Sequence, residues 1–288
     1  MRILVTNDDG IDSDGLRQLA WAMRGLGDVT VVAPDTEYSG SSAALGSLNR
    51  MQPEVHRVSM DGLDDVWSVS GPPALCVMFA RLGAFGPPFD FVVSGINPGV
   101  NVGRSVYHSG TVGAALTARV GGMTGVAVSQ AVHGFGVEGQ GWDEMLSDQC
   151  WEGAADVAAA VVGALVTEPP SGSVAVNVNV PDMTVEAMAG WQRTTVGRVP
   201  PRVISEVELE PKLGHPNSYS VVMKWGDAVS LPEGTDGGAI ERDLVSVTLL
   251  GSLTERLRRK ASDPDPDEHA AAVIGRGLDQ LFEGVRAS

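Results

Sequence analysis

Residues 3–10 read Ile-Leu-Val-Thr-Asn-Asp-Asp-Gly. An apolar run, Ile3–Val5, stops at two neighbouring carboxylates, and Gly10 lets the chain turn there. Beyond the turn, Ser13 or Asp14 caps a helix on which Leu16, Leu19, Ala20, Met23 and Leu26 recur at helical spacing up to Gly27. Val29–Ala33 then forms a β-branched run of the kind buried on both faces of a parallel sheet. Strand, helix, strand predicts a right-handed crossover and an α/β fold. Two like charges about 4 Å apart repel by roughly 4 kcal/mol at an effective dielectric of about 20. Solvent, a shared proton or a cation must offset that between Asp8 and Asp9. A hard divalent ion on oxygen ligands is one answer, and a solvated Asp-Gly turn is the other.

Working outward, Pro34–Ser42 is a polar loop rich in Ser and Gly. Met51–Met60 is irregularly strand-like, Val66–Val69 is a short strand, and Pro72-Pro73 opens a helix to Leu82. Phe89–Val93 runs into Ser94-Gly95-Ile96-Asn97-Pro98-Gly99. Tyr107-His108-Ser109-Gly110-Thr111 precedes a small-residue helix over 112–120. Ser109, Gly110 and Thr111 offer hydroxyls, backbone N–H groups and a positive helix end, either as an anion site or as a plain N-cap. A strand over 126–132, a helix over 148–166 and an alternating strand over 174–180 follow. Gly134, Gly136 and Gly139 match a dinucleotide-binding pattern, but they lead into a polar loop rather than a helix, so that reading is rejected.

From Trp191 the texture changes to short strands at 192–196, 203–209 and 219–225, with Pro and Gly between them. The expected organisation is a core over 1–185, a hairpin extension for subunit contact over 186–243, and a returning strand with a terminal helix over 244–288. That helix carries Ile274, Leu278, Leu281, Phe282 and Val285 on one stripe. A basic run, Arg256–Lys260, lies before it.

The 288 residues carry 36 acids against 20 bases, a net charge of −16. Such a chain repels polyanions, so neither nucleic-acid polymers nor anionic membranes are expected as partners. Two cysteines, Cys76 and Cys150, make no disulfide framework, and the opening residues lack a signal-peptide pattern. A cytoplasmic location is expected.

In a doubly wound order 3-2-1-4-5, with Phe89–Val93 as the fourth strand, the loops leaving the first, second and fourth strands meet at one crevice. They carry Asp8 and Asp9, then Ser39, then Asn97. All are oxygen donors, which suits Mg²⁺, Mn²⁺ or Ca²⁺ better than zinc. Asn97, Ser109, Gly110 and Thr111 would hold a phosphoryl group against one such ion. Asp8 or Asp9 would position water, and His108 would protonate the leaving oxygen or else serve only in packing.

Asn7–Gly10, Val32–Asp35 with Ser39, Ser94–Gly103, Ser109–Val112, Asn177–Pro181 and Glu233–Asp236 together resemble the SurE family of survival-protein nucleotidases, from Met1 to about Leu250. The resemblance implies a Rossmann-like, mostly parallel sheet and one Mg²⁺ or Mn²⁺ held by Asp8, Asp9, Ser39 and Asn97. It also implies hydrolysis of nucleoside monophosphates by a homodimer or homotetramer that exchanges C-terminal elements. Four positions depart from the family pattern: Tyr38 for a basic residue, Ala43 for His, Leu75 within Gly71–Cys76, and Thr117 for Glu. They put substrate preference in question and motivate a competing expectation, a nucleotide-binding or assembly protein with little or no turnover. An aspartyl-phosphate phosphatase is a third, less favoured because Asn7-Asp8-Asp9 lacks alternating carboxylates.

Overall fold

The computed structural model describes residues 1–46, 48, 52–132, 146–198, 204–227, 229–251 and 266–287. The glycine pattern at 134–139 and the basic run at 256–260 lie outside them.

β1 (Arg2–Thr6), α1 (Asp14–Met23) and β2 (Asp28–Pro34) form the expected crossover, with β1 and β2 parallel. Ser13 is the cap of α1, its hydroxyl accepting the Leu16 N–H. β3 (Val55–Arg57), β4 (Val66–Val69), α2 (Pro73–Arg81), β5 (Phe91–Pro98), α3 (Gly110–Val120) and β6 (Thr124–Gln130) come next. Then follow α4 (Trp151–Thr167), β7 (Ala175–Val180), β8 (Gly190–Arg193), β9 (Ile204–Pro211), β10 (Tyr219–Trp225), α5 (Asp236–Ile240), β11 (Leu244–Leu249) and α6 (Pro266–Ala287).

The main sheet has the order β3-β4-β2-β1-β5-β6-β7-β11-β8. Its middle, β4-β2-β1-β5-β6, is parallel and is the expected 3-2-1-4-5 arrangement. Antiparallel pairing appears at β3 on β4 and at β11 on β7. Alternate side chains of the buried strands feed opposite layers. Ile3, Val5, Val31, Ala33, Val93, Val126 and Val128 pack with α1, α4 and α6, whereas Leu4, Val32 and Val92 pack with α2 and α3.

The segment expected as a hairpin extension divides in two. Gly190–Arg193 joins the main sheet beside β11, because the buried Thr194 hydroxyl bonds with Ser246 and Thr248 of that strand. β9 and β10 form a separate antiparallel ribbon. Val207, Leu209, Tyr219, Val221 and Met223 on it are all more than half exposed. The terminal helix α6 docks within its own chain. Gly277 abuts Ala164 of α4, Trp191 Nε1 donates to Asp279 at 2.8 Å, and Arg193 grips Glu268 with two hydrogen bonds.

Candidate metal and phosphate site

β1 lies between β2 and β5, so the chain leaves three neighbouring parallel strands at one edge of the sheet. Two backbone hydrogen bonds stitch the first two exits together: Ile11 N–H to Pro34 O at 2.8 Å and Tyr38 N–H to Asp8 O at 2.7 Å. Gly10, at φ +105°, makes the turn between them, where a Cβ would press on the Thr36 backbone.

Asp8 is 2% exposed. Its Oδ2 accepts the Gly110 N–H at 3.1 Å and its Oδ1 accepts the Thr111 hydroxyl. The same Thr111 oxygen lies 3.3 Å from Asn97 Oδ1. One hydroxyl proton cannot serve both acceptors, so one of these oxygen–oxygen approaches lacks a proton. Asn97 is turned by its own amide, whose Nδ2 donates to Gly99 O at 2.6 Å. Ser109 is the N-cap of α3 and accepts the Val112 N–H at 3.1 Å. The structure thus brings Asp8, Asn97, Gly110 and Thr111 together, with Ser109 shaping the helix start.

Asp9 is only partly buried, yet its Oδ2 is shut away from solvent without a hydrogen-bond partner. Burial, then the Asp8 charge, then the Glu37 charge push its carboxyl well above the usual range. Burial also raises Asp8, against the hydrogen bonds from Thr111 and Gly110 that favour its ionised form. Both groups are short of positive charge. Among the described residues no cluster of three or more His, Cys, Asp or Glu stands in metal-binding arrangement. The available donors are carboxylate, amide and hydroxyl oxygens, and with a buried, unpartnered Asp9 oxygen they fit a hard divalent cation.

Ser39 and His108 stand at the rim. Ser39 is exposed, and its hydroxyl donates to Glu37 Oε1 at 2.8 Å rather than to Asp8 or Asp9. His108 is exposed, and its carbonyl accepts the Ser42 N–H at 3.0 Å, joining the polar loop to the helix start. Two neighbours join the site that the sequence motifs do not include. Glu37 adds a third negative charge beside Asp9. Ser41 Oγ is buried and unpartnered, 2.8 Å from where a Cβ on Gly110 would sit, a point equally close to Asp8 Oδ2. Their position two residues either side of Ser39 is the signal that could have found them.

Fold and site define an α/β protein with an acidic, oxygen-lined crevice at the topological switch point of a doubly wound sheet. The sequence profile of the family described as Survival protein SurE matches residues 3–201, and the chain belongs to that family. Its members are in general nucleotidases or phosphatases. The crystal structure of the SurE protein from Aquifex aeolicus is similar at 28% identity with a TM-score of 0.69, over 88% of this chain and 95% of that one.

Proposed function

We propose that this protein is a metal-dependent phosphomonoesterase that hydrolyses nucleoside 5′-monophosphates, and 3′-monophosphates to a degree the assay below decides, to nucleoside and phosphate. The observation that carries the reading is the unpartnered Asp9 oxygen beside Asp8, at the positive end of α3. Asp8, Asp9 and Asn97 would hold one Mg²⁺ or Mn²⁺, with Ser39 joining once its hydroxyl leaves Glu37. An ion held there would supply Lewis-acid polarisation of a phosphoryl oxygen and lower the pKa of a water.

The remaining steps belong to the chain. The α3 helix start at Ser109, Gly110 and Thr111 would orient the phosphoryl oxygens and stabilise the charge that grows on them once the Gly110 N–H and the Thr111 hydroxyl turn from Asp8 to the substrate. Asp9 accepts the proton of the attacking water as its oxygen bonds to phosphorus and the ester P–O bond breaks. His108 delivers a proton to the departing ribose oxygen. The α3 helix start suits a small anion despite the net charge of −16.

No helix among the described residues is long and apolar enough to cross a membrane, and both cysteines are free. A cytoplasmic location is part of this reading. So is a homodimer or homotetramer, because a lone two-stranded ribbon with an exposed apolar face is marginal until something covers it.

The test is phosphate release from a panel of 5′- and 3′-nucleoside monophosphates in EDTA, then with Mg²⁺ or Mn²⁺ restored. Release that EDTA stops and metal restores supports the reading. Tight nucleotide binding without release, from folded protein, replaces it with the binding-protein alternative that Ala43 and Thr117 motivate. Trapping of a phosphoryl-enzyme would favour the aspartyl-phosphate mechanism instead.

A further inference from the structure

Two stretches singled out in the sequence, 177–181 and 233–236, carry none of the chemistry above, yet both end on the same loop. Asn101 donates its N–H to Asn179 Oδ1 at 2.7 Å, and its carbonyl accepts from Asn177 Nδ2 at 2.8 Å. Its own Nδ2 reaches Ser129 Oγ at 2.8 Å. Two residues on, the Gly103 N–H donates to Asp236 Oδ2 at 2.9 Å. Asp236 is 1% exposed, and its Oδ1 takes the N–H groups of Gly197 and Gly237, each at 2.9 Å. A buried carboxylate needs such donors, and three converging N–H groups make it a fixed node in the chain.

What the node holds matters. Gly103 opens a 3-10 turn over Gly103–Tyr107. Within it the Ser105 carbonyl accepts the N–H of His108 at 2.9 Å and of Ser109 at 3.1 Å, and Ser109 caps α3. The other two donors flank the β9–β10 ribbon in sequence. Gly197 precedes β9, and Gly237 follows β10. Thr195 N–H to Gly234 O at 3.0 Å and Asp236 N–H to Thr195 O at 2.9 Å close the root of that excursion.

We propose that Asp236 is a positioning residue that fixes the phosphate-binding turn, Gly103 to Thr111, against the root of the β9–β10 ribbon. How the ribbon is seated is then felt at the helix start that receives the phosphoryl group. The kinetic consequence rests on the phosphomonoesterase reading, and the backbone consequence does not.

The experiment pairs kinetics with amide hydrogen exchange on the full chain. Asp236→Asn keeps the size of the side chain but only one acceptor oxygen, so either Gly103 or the Gly197–Gly237 pair loses its partner. The expected result is a fall in kcat of about 10²-fold with KM little changed, the scale on which displacements of roughly 1 Å act on a reacting geometry. Asp236→Glu, which restores the carboxylate, recovers part of it. Exchange at Gly103–Ser109 accelerates in Asp236→Asn, while β1 keeps its protection.

Val245→Ala, a truncation of a fully buried side chain within β11, supplies a variant of lowered thermal stability that leaves kcat unchanged. A kcat loss in Asp236→Asn no larger than in Val245→Ala, or unaltered exchange at Gly103, overturns the proposal. If the wild-type chain releases no phosphate, the enzymatic reading falls alone and exchange decides. If Asp236→Asn does not fold, the wild-type amides decide: Gly103, Gly197 and Gly237 opening as one unit supports the node, and three separate opening free energies overturn it.

Discussion

Replacing Asp9 by Asn should make the metal-free protein more stable. Asp8 and Asp9 are adjacent; Gly110 and Thr111 donate to Asp8, whereas on Asp9 burial and the Asp8 charge outweigh the hydrogen bonds it receives, Asn7's among them. Asp9 keeps a buried oxygen with no partner, and Glu37 adds to the repulsion. Carboxylates about 4 Å apart repel by roughly 1 kcal/mol in water and roughly 4 kcal/mol at an effective dielectric of about 20. For a chain of this size 1 kcal/mol moves Tm by about 2 °C, so Asp9→Asn should gain about 2–8 °C at pH 7.5 in EDTA.

The gain must depend on pH in a definite sense. The native carboxyls of Asp8 and Asp9 both titrate above their unfolded values. The metal-free fold therefore binds protons more tightly than the unfolded chain, and its stability falls as pH rises from the unfolded carboxylate value through the native one. At pH 4 and below, the wild-type chain and Asp9→Asn should converge. Mg²⁺ at about 100 times its Kd should then add about 2.7 kcal/mol to the wild-type protein and much less to the variant. Differential scanning fluorimetry at pH 4 and pH 7.5, with EDTA and with Mg²⁺, measures all of this. A variant that melts no higher than wild type at pH 7.5 in EDTA, or that gains as much from Mg²⁺, would refute the argument that these carboxylates lack a cation.

Three other outcomes follow from the same geometry. Asp8→Asn and Asn97→Ala should each cut metal-dependent phosphate release by about 10²–10³-fold while circular dichroism stays native, since each removes a charge-stabilising group from the reacting centre; near-wild-type turnover in either would sink the site. Gly110→Ala should lose most activity and some stability, because its Cβ would sit 2.8 Å from both Asp8 Oδ2 and Ser41 Oγ, and a variant with unchanged phosphate inhibition would show that this helix start does not receive the substrate. Val221→Lys with Met223→Lys, which charges the apolar face of the β9–β10 ribbon, should lower the assembly size measured by light scattering; an unchanged mass would show that the face is not an interface.

The fold's centre was legible because its strands are unbroken β-branched and aliphatic runs, which burial on both faces explains. Ile3 and Val5 enter one layer and Leu4 the other, as the unbroken apolar run required. The outer strands were less legible. β8 is four residues, Gly190–Arg193, and looks like one more piece of a ribbon. Its membership of the main sheet depends on partners more than 50 residues away in sequence, the Ser246 and Thr248 hydroxyls that meet Thr194. In the site, Asp8, Asn97 and Thr111 converge because strand order alone brings their loops together. Glu37 and Ser41 were harder to find because their two-residue spacing about Ser39 is the one signal for them in a Ser- and Gly-rich loop.

The positions where this chain departs from the family pattern bear on the competing readings through where they sit. Leu75 is fully buried with Leu4, Val32 and Val69, so it packs the layer beneath the crevice and touches no reacting group. Thr117, about two turns past the Ser109 cap, donates to the Gly113 carbonyl within α3. Ala43 and Tyr38 lie in the polar loop over the helix start, Ala43 exposed and Tyr38 partly buried. None of the four replaces an oxygen donor at Asp8, Asp9, Ser39 or Asn97. Changes in the loop, in α3 past its first turn and in the buried layer alter which leaving group is admitted before they alter the polarisation of phosphate. The physical expectation is therefore a shifted substrate preference with the chemistry retained, and a nucleotide panel of varied base and phosphate position separates that outcome from loss of turnover.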